Sequence, residues 1–153
     1  MQLDTIDKKI LNHLQIDGKT TAKVLSDKLN LSVTAIYERI KKLEKSKIIS
    51  KYVATLDKQK IHKNFLVLCQ VKLIKHHNTF INKFEKEVQH FKEVLECYNI
   101  SGDYDYQLKI VVENMQEYRL FLNTKLTSLD YIGSTYSTFI INEVKHTTQI
   151  NLE

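Results

Sequence analysis

Residues 21–45 read TAKVLSDKLNLSVTAIYERIKKLEK, and the spacing of their apolar side chains organises the N-terminal part of the chain. Ala22, Val24, Leu25 and Leu29 recur as the inward side of a short helix from about Thr21 to Leu29, and Asn30 breaks the pattern. Asn tolerates positive φ better than other non-glycine residues. Leu29-Asn30-Leu31-Ser32 therefore reads as a tight turn, with both leucines locking it into a small core. Ser32 is a natural N-cap for a further helix through Lys45, whose Ile36, Ile40 and Leu43 recur at i, i+4 and i+7. Upstream, Ile6, Ile10, Leu11 and Leu14 form a stripe on a helix from Asp4 to Ile16, started by Asp4 or Thr5 and ended at Gly18. A short helix, a tight turn and a second helix with an exposed polar side make a helix-turn-helix, the arrangement that places its last helix in a DNA major groove.

Removing the buried stripe from the third helix leaves Ser32, Thr34, Ala35, Tyr37, Glu38, Arg39, Lys41 and Lys42 facing outward. The early ones are small, polar or aromatic and suit base edges and thymine methyls. Arg39, Lys41, Lys42 and Lys45 are cationic and suit phosphates, which fix register without reading sequence. Lys19 and Thr20, just ahead of the second helix, are further candidates for backbone contacts. The net charge of +5 is unevenly placed: residues 1–60 hold 13 Lys/Arg against 7 Asp/Glu, and residues 61–153 hold 10 against 11. A lysine-rich solvated surface gives the same count. Joined to the turn chemistry, the localised excess points to double-stranded DNA as the partner.

Beyond Lys47 the texture changes. Ile48 to Ala54 reads as a short strand and Asp57 to Asn64 as a polar connector. Phe65 to Lys75 is a strand with Phe65, Val67, Cys69, Val71 and Leu73 on one face, followed by a helix carrying Phe80, Phe84, Val88 and Phe91. Val94–Ile100 and Tyr106–Val112 are strands joined by Ser101-Gly102-Asp103-Tyr104-Asp105. A second helix carries Tyr118, Phe121, Leu122, Leu126 and Leu129; a last strand spans Ile132 to Val144, and Thr147 to Leu152 adds a short edge strand. The order β-α-β-β-α-β is the ferredoxin-like split arrangement. The fold class is α+β, divided into a winged-helix-like helix-turn-helix DNA-binding domain (1–50), a strand and linker (51–64) and a ferredoxin-like domain (65–153).

A hydrophobic fraction of 42% is enough to build cores, and no apolar run approaches membrane-spanning length; with an acidic rather than signal-like start, a cytoplasmic protein with no membrane association is expected. Cys69 and Cys97 lie in apolar β-prone runs without a zinc or redox spacing and read as reduced core residues, with a disulfide or redox-sensor role as the alternative. Of the six histidines only His76 and His77 are adjacent, so no metal site is expected. Asp103 and Asp105 look like paired catalytic carboxylates, yet no nucleophile motif, phosphate loop or cofactor fingerprint accompanies them, and no enzyme is expected.

Leu3-Asp4-Thr5-Ile6-Asp7-Lys8-Lys9-Ile10-Leu11, then Leu31-Ser32 and Arg39-Ile40-Lys41-Lys42-Leu43-Glu44, resemble the Lrp/AsnC (leucine-responsive, feast/famine) regulators. Ile48-Ile49, Tyr52, Asp57, the run Tyr98 to Tyr106, and Val144-Lys145 with Thr147 continue the likeness over essentially the whole chain. The resemblance implies a transcriptional regulator whose C-terminal RAM domain dimerises through its sheet, with dimers closing into rings, commonly octamers of four dimers. It implies no cofactor, but a small effector, usually an amino acid, held between dimers near the Gly-x-x-Asp turn. Carried over, Ser101, Gly102, Asp103, Tyr104 and Asp105 form the effector loop, with Thr135, Ser137 and Thr138 on the last strand as weaker candidates. The chain departs from the family at Lys47 and Lys63, where many members have glycine. A lysine at position 47 that had to adopt positive φ would cost roughly 1 kcal/mol.

Read physically, glycine in such a turn lets backbone N–H groups approach a carboxylate, and a neighbouring aspartate can take an ammonium. An α-amino acid presents both. The same five residues also make a good plain hairpin turn, and the residues alone do not separate the two. The rival to a DNA-binding regulator is a metabolite-binding or enzymatic ferredoxin-like protein whose N-terminal helices make protein contacts.

Overall fold

A computed structural model describes residues 2–75 and 77–153; the His76 half of the adjacent histidine pair lies outside them. Residues 1–55 with 145–153 form one compact unit, and residues 56–144 form a second.

In the first unit, α1 (Thr5–Ile16), α2 (Ala22–Leu29) and α3 (Val33–Lys45) surround Ile10, Leu11, Leu25, Ile36 and Leu43. Each helix starts on a side-chain cap: Asp4 accepts from Asp7 N, Thr21 from Val24 N and Ser32 from Ala35 N. At α1 the cap is reciprocal, since the Asp7 carboxylate accepts from Asp4 N at 3.3 Å. Asn30 takes the left-handed conformation, with φ 52°, between α2 and α3. The Ser26 hydroxyl closes that turn by donating to the Leu31 carbonyl. Val24, expected inward, is 43% exposed; Ser26, one turn along from Ala22, is buried instead.

Two segments expected as strands are not strands. Ile48 to Ala54 finds no partner strand among the described residues, and a lone strand leaves its backbone groups unpaired. It follows α3 as an irregular segment: Ile48 N and Ile49 N both donate to Leu43 O, and Lys47 takes φ 60°. Ile49 packs on the helical core, and the Tyr52 hydroxyl donates to Glu44. Thr147 to Leu152 is also irregular. Its backbone groups pair with a side chain rather than a strand, because the Gln15 amide donates to Ile150 O and accepts from Ile150 N. Leu152 packs against the helical core.

The second unit is a four-stranded antiparallel sheet of order β2-β3-β1-β4, built from β1 (Phe65–Leu73), β2 (Val94–Asn99), β3 (Tyr106–Val112) and β4 (Ile132–Phe139). Val67, Cys69, Val71 and Leu73 of β1, with Tyr106, Leu108, Ile110 and Val112 of β3, are buried at alternate positions under Phe84, Val88, Tyr118 and Phe121. The first two of those covering residues belong to α4 (Asn78–Val88) and the last two to α5 (Met115–Phe121). The second helix does not run unbroken to Leu129: α5 gives way to a π-helical turn over Leu122–Leu126, which keeps Leu126 in the core. β4 ends five residues earlier than expected; Ile141 and Val144 beyond it are exposed.

Candidate functional site

The residues proposed to face DNA divide into a front and a flank of α3. Thr34, Glu38, Lys41 and Lys45 follow one another at i, i+4, i+7 and i+11, opposite the buried Ile36 and Leu43, and all four are exposed. Tyr37 and Lys42 border them. Tyr37 is 55% exposed and carries the Lys41 ammonium 5.9 Å from its ring centroid. Ser32 lies exposed at the helix start with its oxygen engaged as the cap, and Ala35 is half-buried. Lys19 and Thr20 sit in the turn before α2, where Lys19 N donates to Asp17. Among the described residues no carboxylate pairs with Lys41, Lys42 or Lys45.

Arg39 differs from those lysines. Its Nη1 donates to Asp4 Oδ2 at 2.6 Å and to Asp7 Oδ1 at 2.7 Å, on the flank of α3 that faces the start of α1. The same two aspartates cap each other. The Asp7 backbone N–H and then the Arg39 guanidinium hold the Asp4 carboxyl below its usual value, and Asp4 followed by Asp7 raises Arg39. Sequence reading missed both partners, although Asp4-x-x-Asp7 ahead of an apolar helix is itself a capping-box signal.

At the β2–β3 turn, Ser101, Gly102 and Asp103 are exposed and Tyr104 is half-buried. Gly102 has φ 122°, a conformation that side chains avoid, and the direction a Cβ would take is open space. Tyr104 rests near Tyr136 of β4, with ring centroids 6.4 Å apart. Asp105 is different: it is 8% exposed, and its carboxylate accepts from Leu73 N at 2.7 Å. Its backbone is equally engaged, donating to Val71 O and accepting from Ile100 N and the Asn99 amide. Asp103 is thus the carboxylate the turn presents outward.

The β4 candidates separate. Thr135 pairs with Val71 and Ser137 with Cys69, on the helix-covered face of the sheet; Thr138 pairs with Leu68 on the other. Ser137 shares a hydrogen bond with the buried Tyr118 hydroxyl. Of the three, Thr135 lies level with the end of the sheet that carries the turn, since Tyr106 also pairs with Val71. Burial pushes the Cys69 thiol up, and burial followed by Glu85 pushes Cys97 up to about 11, so both are poor thiolates near neutrality. No cluster of His, Cys, Asp or Glu able to hold a metal occurs among the described residues, and no helix there is long and apolar enough to cross a membrane.

Comparison with known proteins covers both units. Residues 3–44 match the family model of the AsnC-type helix-turn-helix domain, and residues 66–150 that of the Lrp/AsnC ligand binding domain. The leucine-responsive regulatory protein of Haemophilus influenzae is 38% identical over 99% of this chain and 91% of its own length. That of Escherichia coli K12 is 34% identical over 97% and 90%. A transcriptional regulator of Neisseria meningitidis, solved as a complex with L-Met, superposes with a TM-score of 0.93 at 30% identity, covering 97% of this chain and 96% of that one. An AsnC family transcriptional regulator from Agrobacterium tumefaciens gives 0.92 at 32% identity, with the same coverage.

Proposed function

The chain belongs to the Lrp/AsnC family of DNA-binding transcriptional regulators, and from that premise we propose that it reads operator DNA with the front of α3 and answers to an amino acid bound at the β2–β3 turn. One observation carries the DNA half: a rigidly seated helix whose exposed side aligns Thr34, Tyr37, Glu38, Lys41, Lys42 and Lys45 away from its core. Thr34, Ala35, Tyr37 and Glu38 supply groups for base edges, and Ser32 flanks them at the helix start. Lys41, Lys42 and Lys45 supply phosphate contacts. Lys19 and Thr20 precede the N-terminus of α2, where the helix dipole favours another phosphate.

The amino acid reading is supported by the match to the ligand binding domain, by the L-Met complex of the Neisseria relative, and by a turn that offers Gly102 and an outward Asp103 together. The ligand carboxylate would take backbone N–H groups of Ser101 to Tyr104, and its ammonium would take Asp103. Asp105 would hold the turn in shape. Thr135 is the β4 residue best placed to add a contact.

As in the family, the working species is a homo-oligomer, with dimers joined through the sheet domain and the amino acid between them; an octamer of four dimers in the cytoplasm is our reading of this chain. Each symmetric dimer sets two α3 helices about 34 Å apart, in successive major grooves. Duplex fragments selected by the protein from a random library provide the test. Lys41→Ala should weaken binding to all sequences alike and flatten the salt dependence. Binding that survives Lys41→Ala, Lys42→Ala and Lys45→Ala together with an unchanged salt slope overturns the assignment of α3.

A further inference from the structure

Arg39 is the one cation on α3 that makes ion pairs among the described residues. One nitrogen, Nη1, reaches two carboxylates at the start of α1, a helix that begins thirty-four residues earlier in the chain. The Asp7 arm of the site is desolvated, its side chain being only 7% exposed against 33% for Arg39, while the Asp4 arm is 52% exposed. Charge-assisted bonds in such surroundings are stronger than those of exposed pairs. The three side chains together carry a net charge of −1, so a phosphate approaching Arg39 meets two carboxylates already bound to it. A phosphate contact here would require breaking both.

The arrangement has a mechanical side. Asp4 and Asp7 cap each other at the start of α1, which fixes the direction in which their remaining oxygens point. Arg39 sits at the middle of α3, one turn past Ala35 and next to the half-buried Ile40. The ion pairs therefore tie the midpoint of the groove-facing helix to the rigid end of another.

We propose that Arg39 is a positioning residue that sets the orientation of α3 against α1, and that Asp4 and Asp7 keep its guanidinium off the DNA phosphates. The proposal rests on the reading of α3 as the DNA-contacting helix.

The salt dependence of binding separates positioning from phosphate contact. Each phosphate that a protein ceases to neutralise lowers the slope of log K against log[salt] by about 0.9. A misaligned helix reads bases poorly while neutralising the same number of phosphates. Using the full-length protein and its library-selected duplex, Arg39→Gln should weaken specific binding about tenfold, the scale of one well-aligned base contact. Its salt slope should match the unsubstituted protein, and binding to unselected duplex should barely change. Lys41→Ala should lower the slope. The double substitution Asp4→Asn with Asp7→Asn removes the tether while leaving the arginine and two capping amides. It should lower the preference for selected over unselected duplex, while the freed guanidinium steepens the salt slope by up to about 0.9; circular dichroism at the assay temperature reports whether each variant is folded. A slope lowered by Arg39→Gln would show a phosphate contact and overturn the proposal, and a preference for selected over unselected duplex left unchanged by the double substitution would overturn it by showing no positioning role. If the unsubstituted protein selects no sequence, the DNA reading of α3 fails, which is a separate result from either.

Discussion

The front of α3 and the β2–β3 turn suit their proposed binding tasks in different ways. On α3 the helix is seated by Ile36 and Leu43, while Thr34, Tyr37, Glu38, Lys41 and Lys45 project from the opposite side and hold nothing in the core. At the turn the two jobs fall on neighbouring residues. Asp105 is spent on Leu73 N, Gly102 carries a backbone conformation that side chains resist, and Asp103 between them remains available. A helix separates scaffold from contact surface by periodicity. A five-residue turn has no such period, so scaffold and contact residues alternate without a rule that can be read along the sequence.

The largest test of that difference is Asp105→Ala. It strands the buried Leu73 N–H and should cost about 2–3 kcal/mol, seen as a fall in the melting temperature of the sheet domain. Near-unchanged melting would mean that Asp105 is not part of the scaffold. Gly102→Ala comes next. Since the added methyl meets only open space, any destabilisation comes from the backbone at φ 122°, and a cost of about 1–2 kcal/mol is expected by denaturant titration. Lys42→Ala and Asp103→Asn are the counterparts on the contact side, each expected within about 0.5 kcal/mol of the unsubstituted protein in stability. Their effects should appear elsewhere: Lys42→Ala in DNA affinity, and Asp103→Asn in the disappearance of any amino-acid-dependent thermal shift.

The smallest effect concerns pH. The Asp4 carboxyl is held below its usual 3.8 in the folded chain by the Asp7 N–H and then by Arg39. A lowered carboxyl value stabilises the fold above 3.8, and that contribution disappears as pH falls through the folded value. Melting curves of the unsubstituted protein and of Asp4→Asn should therefore differ near neutrality and converge as the pH falls from 3.8 through the lowered folded-state value. A gap that widens on acidification would contradict the pairing.

What the sequence revealed follows from the range of the interactions. Asn30 carries positive φ where local chemistry placed a turn, Lys47 carries it where many members of the family have glycine, and the buried alternation of β1 and β3 matches a period of two. The bonds between Arg39 and α1, and the seating of Ile150 on Gln15, join residues 32 or more apart through side chains, and no periodicity encodes them. The same holds for Thr147 to Leu152. Its Gln149-Ile150-Asn151-Leu152 alternation fits an edge strand, yet the partner that pairs with the Ile150 backbone is a glutamine on α1. Ser137 and Thr138 were separable in principle, because adjacent strand residues point to opposite faces, but only the register with Cys69 and Leu68 says which face is covered.

The central claim is that the cationic front of α3 binds DNA, and a titration of the library-selected duplex at increasing salt tests it most directly. Two subunits contributing Lys41, Lys42 and Lys45 make six phosphate contacts, so affinity should fall about 10³-fold between about 50 and 200 mM salt, on a straight line of log K against log[salt]. A flat salt dependence, or one that stays steep when all three lysines are replaced, would contradict it.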